Sequence, residues 1–252
     1  MRNFLLLVTV AALASAQWLK NPTPGVPRLA DGKPNLSAPA PKMPDGKPDL
    51  SGIWNPNPKY LRDLASDLKP VDVSMQPWAE AIFNERKTGA HAAEEPDAHC
   101  LPQGVPKIDA APVPWKLVQL PGVVVILYEA FTQYRQIFTD GRELPKDPNP
   151  AWLGYSVGHW DGDTLVVESS GFNGKAWIDQ AGHPATESLH VTERYRRKDF
   201  GHLEIKVTID DPKAYTKPWT ATEDPTLLVD SELLEFICAE NEQDVKHMVV
   251  KK

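Results

Sequence analysis

Cysteine, positive charge and long apolar runs are all scarce in this sequence. It has 2 cysteines in 252 residues, 27 basic residues against 34 acidic ones, and a net charge of -7. An acidic surface releases no counterions from nucleic acid and is repelled by anionic lipid, so both are excluded as partners. No apolar run reaches the roughly 18 residues that a membrane helix needs, so no membrane span is predicted.

The sequence also lacks the motifs of the common cofactor sites. It has no phosphate loop and no dinucleotide fingerprint, which argues against a nicotinamide or flavin cofactor. The residues that come nearest to a metal-ligand set are His159, His190 with Glu193, and His91 with Glu94 and His99. None of these groups has a recognised ligand spacing. We therefore predict neither a cofactor nor a metal.

The first 16 residues have the organisation of a secretory signal peptide. A single positive charge at Arg2 precedes a short apolar run at residues 4–8, and the small residues at 14–16 fit a signal-peptidase site. The mature chain is therefore expected to begin at Gln17. We predict export to the periplasm or secretion.

The two cysteines are Cys100 and Cys238, and an exported chain folds where thiols oxidise. One intramolecular disulfide is predicted, and in the chain-entropy model a loop of this length stabilises the fold by about 4 to 5 kcal/mol. The alternative is a nucleophilic cysteine with His99 as its base. Neighbouring side chains point apart in an extended chain, and Cys100 precedes Leu101-Pro102, so the disulfide is favoured.

Proline is abundant, with 25 residues, about twice the ordinary usage, which excludes a helical bundle. Of these prolines, 17 precede residue 115. The mature chain therefore divides into a proline-rich wrapping segment at 17–114 and a strand-rich domain at 115–252. The first part repeats an Asp-Gly turn, at residues 31–37 and again at 45–51.

Two short helices are predicted in the wrapping segment. Leu61, Leu64 and Leu68 fall on one helical face. The second helix covers residues 77–88, starting with a proline and ending before Gly89, and its expected buried stripe is Trp78, Ile82 and Phe83.

From residue 115 onward, apolar and polar residues alternate with period two, and Asp-Gly or Pro-Gly turns separate the runs. The predicted strands cover 115–120, 123–131, 134–139, 154–160, 163–169, 189–198, 203–209, 219–223 and 232–238. Strands joined by sequential hairpins give an antiparallel meander. We expect an all-β fold with minor α content, closing as a lipocalin-like β-barrel, with a sandwich as the alternative.

Two hairpins have predictable registers. A two-residue turn at Asp161-Gly162 pairs Trp160 with Asp163, and the face that carries Leu165 and Val167 is the expected core. The second hairpin has a three-residue loop at 199–201 with Gly201 in the left-handed position. Its predicted pairs are Arg197 with Leu203, Tyr195 with Ile205, Glu193 with Val207 and Val191 with Ile209.

The second register places charged residues inside the barrel. Glu193, Tyr195 and Arg197 share a face with a wholly aliphatic partner strand, which indicates a polar lumen, a ligand site or a buried ion pair. Arg135, on a neighbouring strand, is expected to be nearer to Glu193 than Arg197 is. The predicted catalytic residues are Glu193, Tyr195 and His159, and the predicted substrate-binding residues are Arg197, Arg135 and Tyr155.

A G-x-S-x-G string occurs at residues 154–158, with Ser156 at its centre. In serine hydrolases this motif works on a strained turn between a strand and a helix. Here it leads into a hairpin, so Ser156 is predicted to be a strand residue and not a nucleophile.

Three stretches, at residues 44–54, 159–167 and 208–219, resemble an uncharacterised family of bacterial secreted proteins. They contain the strings PDGKPDLSGIW and HWDGDTLVV and the run from Thr208-Ile209-Asp210-Asp211-Pro212 to Pro218-Trp219. The resemblance covers most of the mature chain. It implies export and a single domain, and it transfers no catalytic residue.

Three hypotheses follow for the function. The first is a cofactor-free acid-base enzyme, a hydrolase or lyase, acting on a sugar-like or aromatic compound in the barrel mouth. The second is a carrier that binds a small organic ligand without turning it over. The third is a structural ion pair beneath the wrapping segment.

Overall fold

The computed structural model describes residues 22–238. The predicted signal peptide at residues 1–16 lies outside this range. No helix within residues 22–238 is long and apolar enough to cross a membrane.

Ten strands form one sheet in the order β10-β1-β2-β3-β4-β5-β6-β7-β8-β9. The strands are β1 (Gly52–Asn55), β2 (Trp115–Leu120), β3 (Val123–Tyr128), β4 (Gln133–Phe138), β5 (Tyr155–Asp161), β6 (Thr164–Ser170), β7 (His190–Arg197), β8 (Leu203–Asp210), β9 (Trp219–Glu223) and β10 (Thr226–Leu228). The predicted all-β, barrel-like fold is confirmed.

The sheet curls until one edge approaches the β7–β8 turn. The Leu203 amide donates to the Pro225 carbonyl at 3.0 Å, and the Leu227 amide donates to the Gly201 carbonyl at 2.8 Å. Edge strand β10 is therefore joined to the loop between two inner strands. The concave face is filled by buried aliphatic and aromatic side chains, among them Trp54 and Trp115 from neighbouring strands.

The topology departs from the predicted meander in two respects. β4 and β5 are parallel, with Ile137 opposite Ser156, because the chain returns through the long loop at 139–154 before β5 begins. Residues 232–238 form no strand, and the last strand within residues 22–238 is Thr226–Leu228, which pairs with β1. The proline-rich segment thus contributes a strand, β1, which lies between β10 and β2.

The β7–β8 register is confirmed at each predicted pair, including Glu193 with Val207 and Tyr195 with Ile205. The β5–β6 prediction was wrong by two residues, because Asp161 pairs with Thr164 and the turn is Gly162-Asp163. Gly162 has φ +60°, which suits the first central position of a two-residue hairpin turn. An even shift leaves each side chain on its predicted face, so the Leu165 face is indeed the core.

Gly201 does not adopt the predicted left-handed conformation. Glycine is required at this position for a different reason: a Cβ there would collide with the Cβ of Leu36. The Gly201 amide donates to the Leu36 carbonyl and the Phe200 amide to the Ala38 carbonyl, both at 2.7 Å. The wrapping segment is thereby fastened to the β7–β8 loop.

Two α-helices lie in the wrapping segment, α1 (Lys59–Arg62) and α2 (Pro77–Lys87). Short 3-10 turns cover Pro70–Asp72, Ala92–Glu94, Pro96–His99, Lys107–Ala110 and Ala130–Thr132. The prediction that Trp78 belongs to the buried stripe of α2 was wrong. Trp78 is 49% exposed, and its indole N–H donates a hydrogen bond to the Lys213 carbonyl. Ala79 is the residue of α2 that packs completely.

The predicted disulfide between Cys100 and Cys238 is present, with Cα atoms 5.6 Å apart. It ties the loop that follows the 3-10 turn at Pro96–His99 to the irregular segment after β10. Both sulfur atoms belong to this bond, so Cys100 has no free thiol and cannot act as a nucleophile in this state.

Candidate functional site

The barrel interior contains a buried ion pair between β4 and β7. Arg135 Nη1 donates to Glu193 Oε1 at 3.0 Å, and Arg135 Nη2 donates to Glu193 Oε2. The same guanidinium donates to Ser156 Oγ at 3.1 Å and to Ser169 Oγ at 2.8 Å. Arg135 is therefore the predicted nearer partner of Glu193. Ser156 is a strand residue in this network, as expected.

Two tyrosines and a second carboxyl extend this network. Tyr195 donates its hydroxyl hydrogen to Glu193 Oε1 at 2.7 Å, and Tyr128 donates to Asp109 Oδ1 at 2.6 Å. Asp109 Oδ2 is buried without a hydrogen-bond partner among residues 22–238, 3.7 Å from Arg135 Nη1. Burial and then the charge of Glu193 raise the pKa of Asp109 to about 7.

Glu223 on β9 is a third interior carboxyl. Both of its oxygens are buried and have no hydrogen-bond partner within the described chain. Burial, followed by the charges of Asp109 and Glu193, raises the pKa of Glu223 well above its ordinary value. Burial without a partner and two neighbouring carboxylates both disfavour the charged form, so the arrangement favours the neutral acid at Glu223.

The structure separates the remaining predicted residues from this cluster. His159 is exposed, and Tyr155 has the same strand parity, so both lie on the outer face of β5. Tyr155 stacks on Phe138 and accepts a hydrogen bond from Arg142 at 3.1 Å. Of the predicted residues, Glu193, Tyr195 and Arg135 are brought together, and His159 and Tyr155 are not.

Arg197 lies on the inward face of β7, where it clamps the wrapping segment. Its Nη1 donates to the carbonyls of Asp49 at 2.6 Å and Ser51 at 3.2 Å. Its guanidinium lies 5.0 Å from the Trp54 ring centroid. Burial lowers the pKa of Arg197 to about 10. These contacts make Arg197 a fastening residue between β7 and the chain that leads into β1.

A separate cleft of about 550 Å³ opens between α2 and the preceding loop. A second cleft, of about 360 Å³, lies between the wrapping segment and β10, and a third hollow near Trp177 has a volume of about 10 Å³. Glu193, Tyr195 and Arg135 line none of these three. Only the first two have a volume within the usual range for small-molecule sites.

His183 lines the larger cleft and is bound to Asp179, which is not itself part of the lining. His183 Nδ1 lies 2.6 Å from Asp179 Oδ2, and both side chains are buried. The ring of His183 stacks on Phe83 with centroids 4.3 Å apart and is tilted against Trp219 at 5.6 Å. Because an ionised carboxylate only accepts, Nδ1 carries the hydrogen. Nε2 has no protein partner among the described residues and is the ring nitrogen left for a ligand.

The loop at 178–183 fixes this pair through backbone bonds. Asp179 Oδ1 accepts the amides of Gly182 at 3.1 Å and His183 at 3.2 Å, and Oδ2 accepts the Leu64 amide at 2.9 Å. Gly182 adopts φ +97°, and the Cβ that any other residue carries would lie 2.5 Å from Arg86 Cβ. Arg86 on α2 donates to the Gly182 carbonyl at 3.1 Å, so helix and loop are held face to face.

Asp63 is a third ionisable group close to this pair. One ligand atom each from Asp63, Asp179 and His183 lies within 4.8 Å of the others, which is a spacing that a cation tolerates. The two oxygens of Asp179 already accept four hydrogen bonds, three from backbone amides and one from His183 Nδ1. Binding a cation there would displace those donors. The arrangement therefore suits proton transfer at Nε2 better than metal ligation.

One face of α2 forms a wall of the cleft. Glu80, Phe83, Asn84 and Lys87 recur at helical spacing and line it. The opposite wall is largely apolar and includes Leu68, Val73 and Met75. The cleft thus combines an apolar surface, charged ends and an oriented histidine.

Asp179, His183 and Asp63 were not predicted from the sequence. All three lie outside regular strands and helices, so neither alternation nor helical periodicity marks them. The one available signal was the Asp-x-x-x-His spacing at 179–183 in a loop that contains Gly182.

Comparison of this chain with protein-family models, with curated proteins and with solved structures finds no match.

Proposed function

We propose that this protein is an exported, cofactor-free enzyme that acts on a small organic molecule in the cleft beside α2. The observation that carries the proposal is that His183, which lines a cleft of about 550 Å³, is hydrogen-bonded to the buried Asp179. An imidazole oriented by a carboxylate through one nitrogen, with the other nitrogen free, is the arrangement that general-base catalysis uses.

His183 Nε2 takes a proton from the substrate or from a water molecule in this proposal. Asp179 keeps the hydrogen on Nδ1 and stabilises the imidazolium that forms. Phe83 stacks on the His183 ring and Trp219 packs against it at a tilt, so the ring orientation is restricted and little reorganisation accompanies the transfer. Proton removal of this kind is common to hydrolysis and elimination, and the reaction class proposed is therefore hydrolase or lyase.

The export component rests on the leader-like residues 1–16 and on the Cys100–Cys238 disulfide, which is a bond of oxidising compartments. We assign the mature protein to the periplasm or the extracellular medium. A test is N-terminal sequencing of protein recovered from each cell fraction. Protein that remains in the cytoplasm with residues 1–16 attached would contradict this assignment.

The enzyme proposal is tested by incubating the purified protein with a metabolite mixture and searching for products by mass spectrometry. His183→Gln should lower the rate of product formation by about 10²-fold or more, the usual loss when a general base is removed. The matched control is His190→Gln, on β7 and outside the cleft. Equal rates in the wild type and His183→Gln would reject His183 as the base.

A small-ligand carrier is the alternative function, and the same cleft supports it. A carrier would deplete one compound into a complex and form no product of matched mass. The interior cluster of Glu193, Tyr195 and Arg135 is the alternative location for catalysis, favoured by the raised pKa of Asp109 beside it. Retention of turnover in His183→Gln, with loss in Glu193→Gln at equal folded fraction, would move the site to the interior.

A further inference from the structure

The charged groups of the α2 cleft are balanced in sign and do not pair with one another. Asp63 and Glu80 are acidic, and Lys69 and Lys87 are basic. The ion pairs of residues 22–238 include none of these four side chains. A ligand with a single charge could pair with only the acidic or only the basic side chains of the cleft. A ligand that carries both a positive and a negative charge could pair with both.

Helix geometry sets the distance between two of these charges. Glu80 and Lys87 are seven residues apart on the cleft-facing side of α2, so their Cα atoms are separated along the axis by about 10 Å. No ion pair joins Glu80 and Lys87 within residues 22–238. Their backbone positions lie at the two ends of the cleft-facing side of α2, with that of Phe83 between them.

The oriented histidine lies near the middle of this wall. Phe83 stacks on His183, and Lys87 Nζ lies 5.1 Å from the centre of the Phe83 ring. A molecule stretched from Glu80 to Lys87 would therefore pass beside the His183 ring. The apolar side chains of Leu68, Val73 and Met75 face its flank.

We propose that the cleft binds a small zwitterion of about dipeptide length, with its ammonium group toward Glu80, its carboxylate toward Lys87 and its centre beside His183. Two residues span about 7 Å, and an ion-pair contact of about 3 Å at each end gives about 13 Å between the two protein charges. Glu80 and Lys87 would therefore meet the ligand with their side chains extended away from each other along α2. This inference rests on the proposed use of the cleft and names its ligand class.

The test measures affinity by calorimetric titration with alanyl-phenylalanine and its N-acetylated, C-amidated and doubly blocked forms. Exposed ion pairs are worth about 0.2 to 1 kcal/mol, so we expect each blocked charge to weaken binding by a factor of about 1.4 to 5. Glu80→Gln should remove the preference for the free ammonium and retain the preference for the free carboxylate. Lys87→Gln should do the reverse.

Glu85→Gln, on α2 but outside the cleft lining, and Lys206→Gln, exposed on β8, are the matched controls. Both should bind like the wild type. Equal affinity for all four peptide forms, or charge preferences that persist in Glu80→Gln and Lys87→Gln, would overturn the inference.

The outcomes also separate this inference from the proposed enzyme. If His183-dependent turnover is found for another compound and peptide binding shows no preference for charged ends, the proposed enzymatic function stands and the proposed zwitterionic ligand is rejected. Charge-selective peptide binding without turnover would retain the zwitterion and leave a carrier.

Discussion

The guanidinium of Arg135 on β4 bonds to the carboxylate of Glu193 on β7, although β5 and β6 lie between these strands in the sheet. Three strand spacings along a flat sheet amount to about 14 Å, which two side chains on one face do not bridge easily. The pair is formed across the concave side, so it depends on the curl of the sheet. An ion pair in this position therefore couples the β2–β4 half of the barrel to the β7–β9 half.

Glu193→Gln should lower the free energy of unfolding by up to about 3 to 5 kcal/mol, because it removes the carboxylate that Arg135 binds through two nitrogens and leaves only Asp109, 3.7 Å away. The measurement is urea denaturation followed by tryptophan fluorescence. Glu204→Gln, on the outward face of the adjacent β8, is the control and should change the value by about 0.5 kcal/mol or less. Similar losses in both variants would show that the interior pair contributes no more than a surface carboxyl.

Glu223 should make the protein less stable as the pH rises. The pKa of Glu223 is raised in the folded state, mainly by burial. Below the ordinary glutamate pKa the residue is protonated in both states, so it adds no pH dependence to the stability. Above it the unfolded chain ionises first, so the free energy of unfolding falls, by at most about 1.4 kcal/mol per pH unit, until the folded-state pKa is reached.

Glu223→Gln removes this titration and keeps the side-chain shape. The difference in unfolding free energy between the variant and the wild type should therefore shift in favour of the variant from pH 5 to pH 8, as measured by denaturation at both values. Asp224→Asn, at the adjacent position, tests whether any nearby carboxyl has the same effect. A difference between the wild type and Glu223→Gln that does not change with pH would contradict the buried neutral acid.

The disulfide should be a large contributor to stability. Cys100 and Cys238 are 138 residues apart, and for a closed loop of that size the chain-entropy model gives about 5 kcal/mol. The double variant Cys100→Ser with Cys238→Ser should lose up to this amount in urea denaturation. Reductant should destabilise the wild type and leave the double variant unchanged. Non-reducing peptide mapping that finds two free thiols in exported protein would refute the bond itself.

The sequence determines the inward face of the β7–β8 hairpin because four aliphatic residues alternate strictly along β8, and any shift by an odd number of residues would expose them. The inward position of Glu193 follows from that pairing alone. The β5–β6 turn is less determined, since both Asp161-Gly162 and Gly162-Asp163 are acceptable turn pairs. The strand faces were still predicted correctly, because the two registers differ by an even number of residues.

The α2 cleft was not predictable in the same way. His183 and Asp179 are positioned by contacts between segments that are distant in the sequence, including the Leu64 amide and the Arg86 guanidinium. No local pattern encodes these contacts. The pairing of β10 with β1 was missed for the same reason, since it joins residues 52–55 to residues 226–228.

Gly182 should be essential for the position of the His183 loop. Gly182→Ala introduces a Cβ 2.5 Å from Arg86 Cβ and adds left-handed strain at φ +97°. Gly141→Ala is the matched control, because Gly141 has φ +86° with no atom within 4 Å of the added Cβ. Both variants should lose about 1 to 2 kcal/mol from backbone strain. Gly182→Ala should lose about 1 to 3 kcal/mol more from overpacking.

The same pair of variants tests whether helix α2 positions the histidine. Displacing the loop from Arg86 shifts Asp179 and His183 together, so Gly182→Ala should weaken binding of the cleft ligand and slow turnover, whereas Gly141→Ala should affect neither. Arg86→Lys, which retains the charge but replaces the guanidinium, should give an intermediate loss. If Gly182→Ala matches Gly141→Ala in stability and in ligand affinity, the contact between α2 and the loop does not determine where His183 lies.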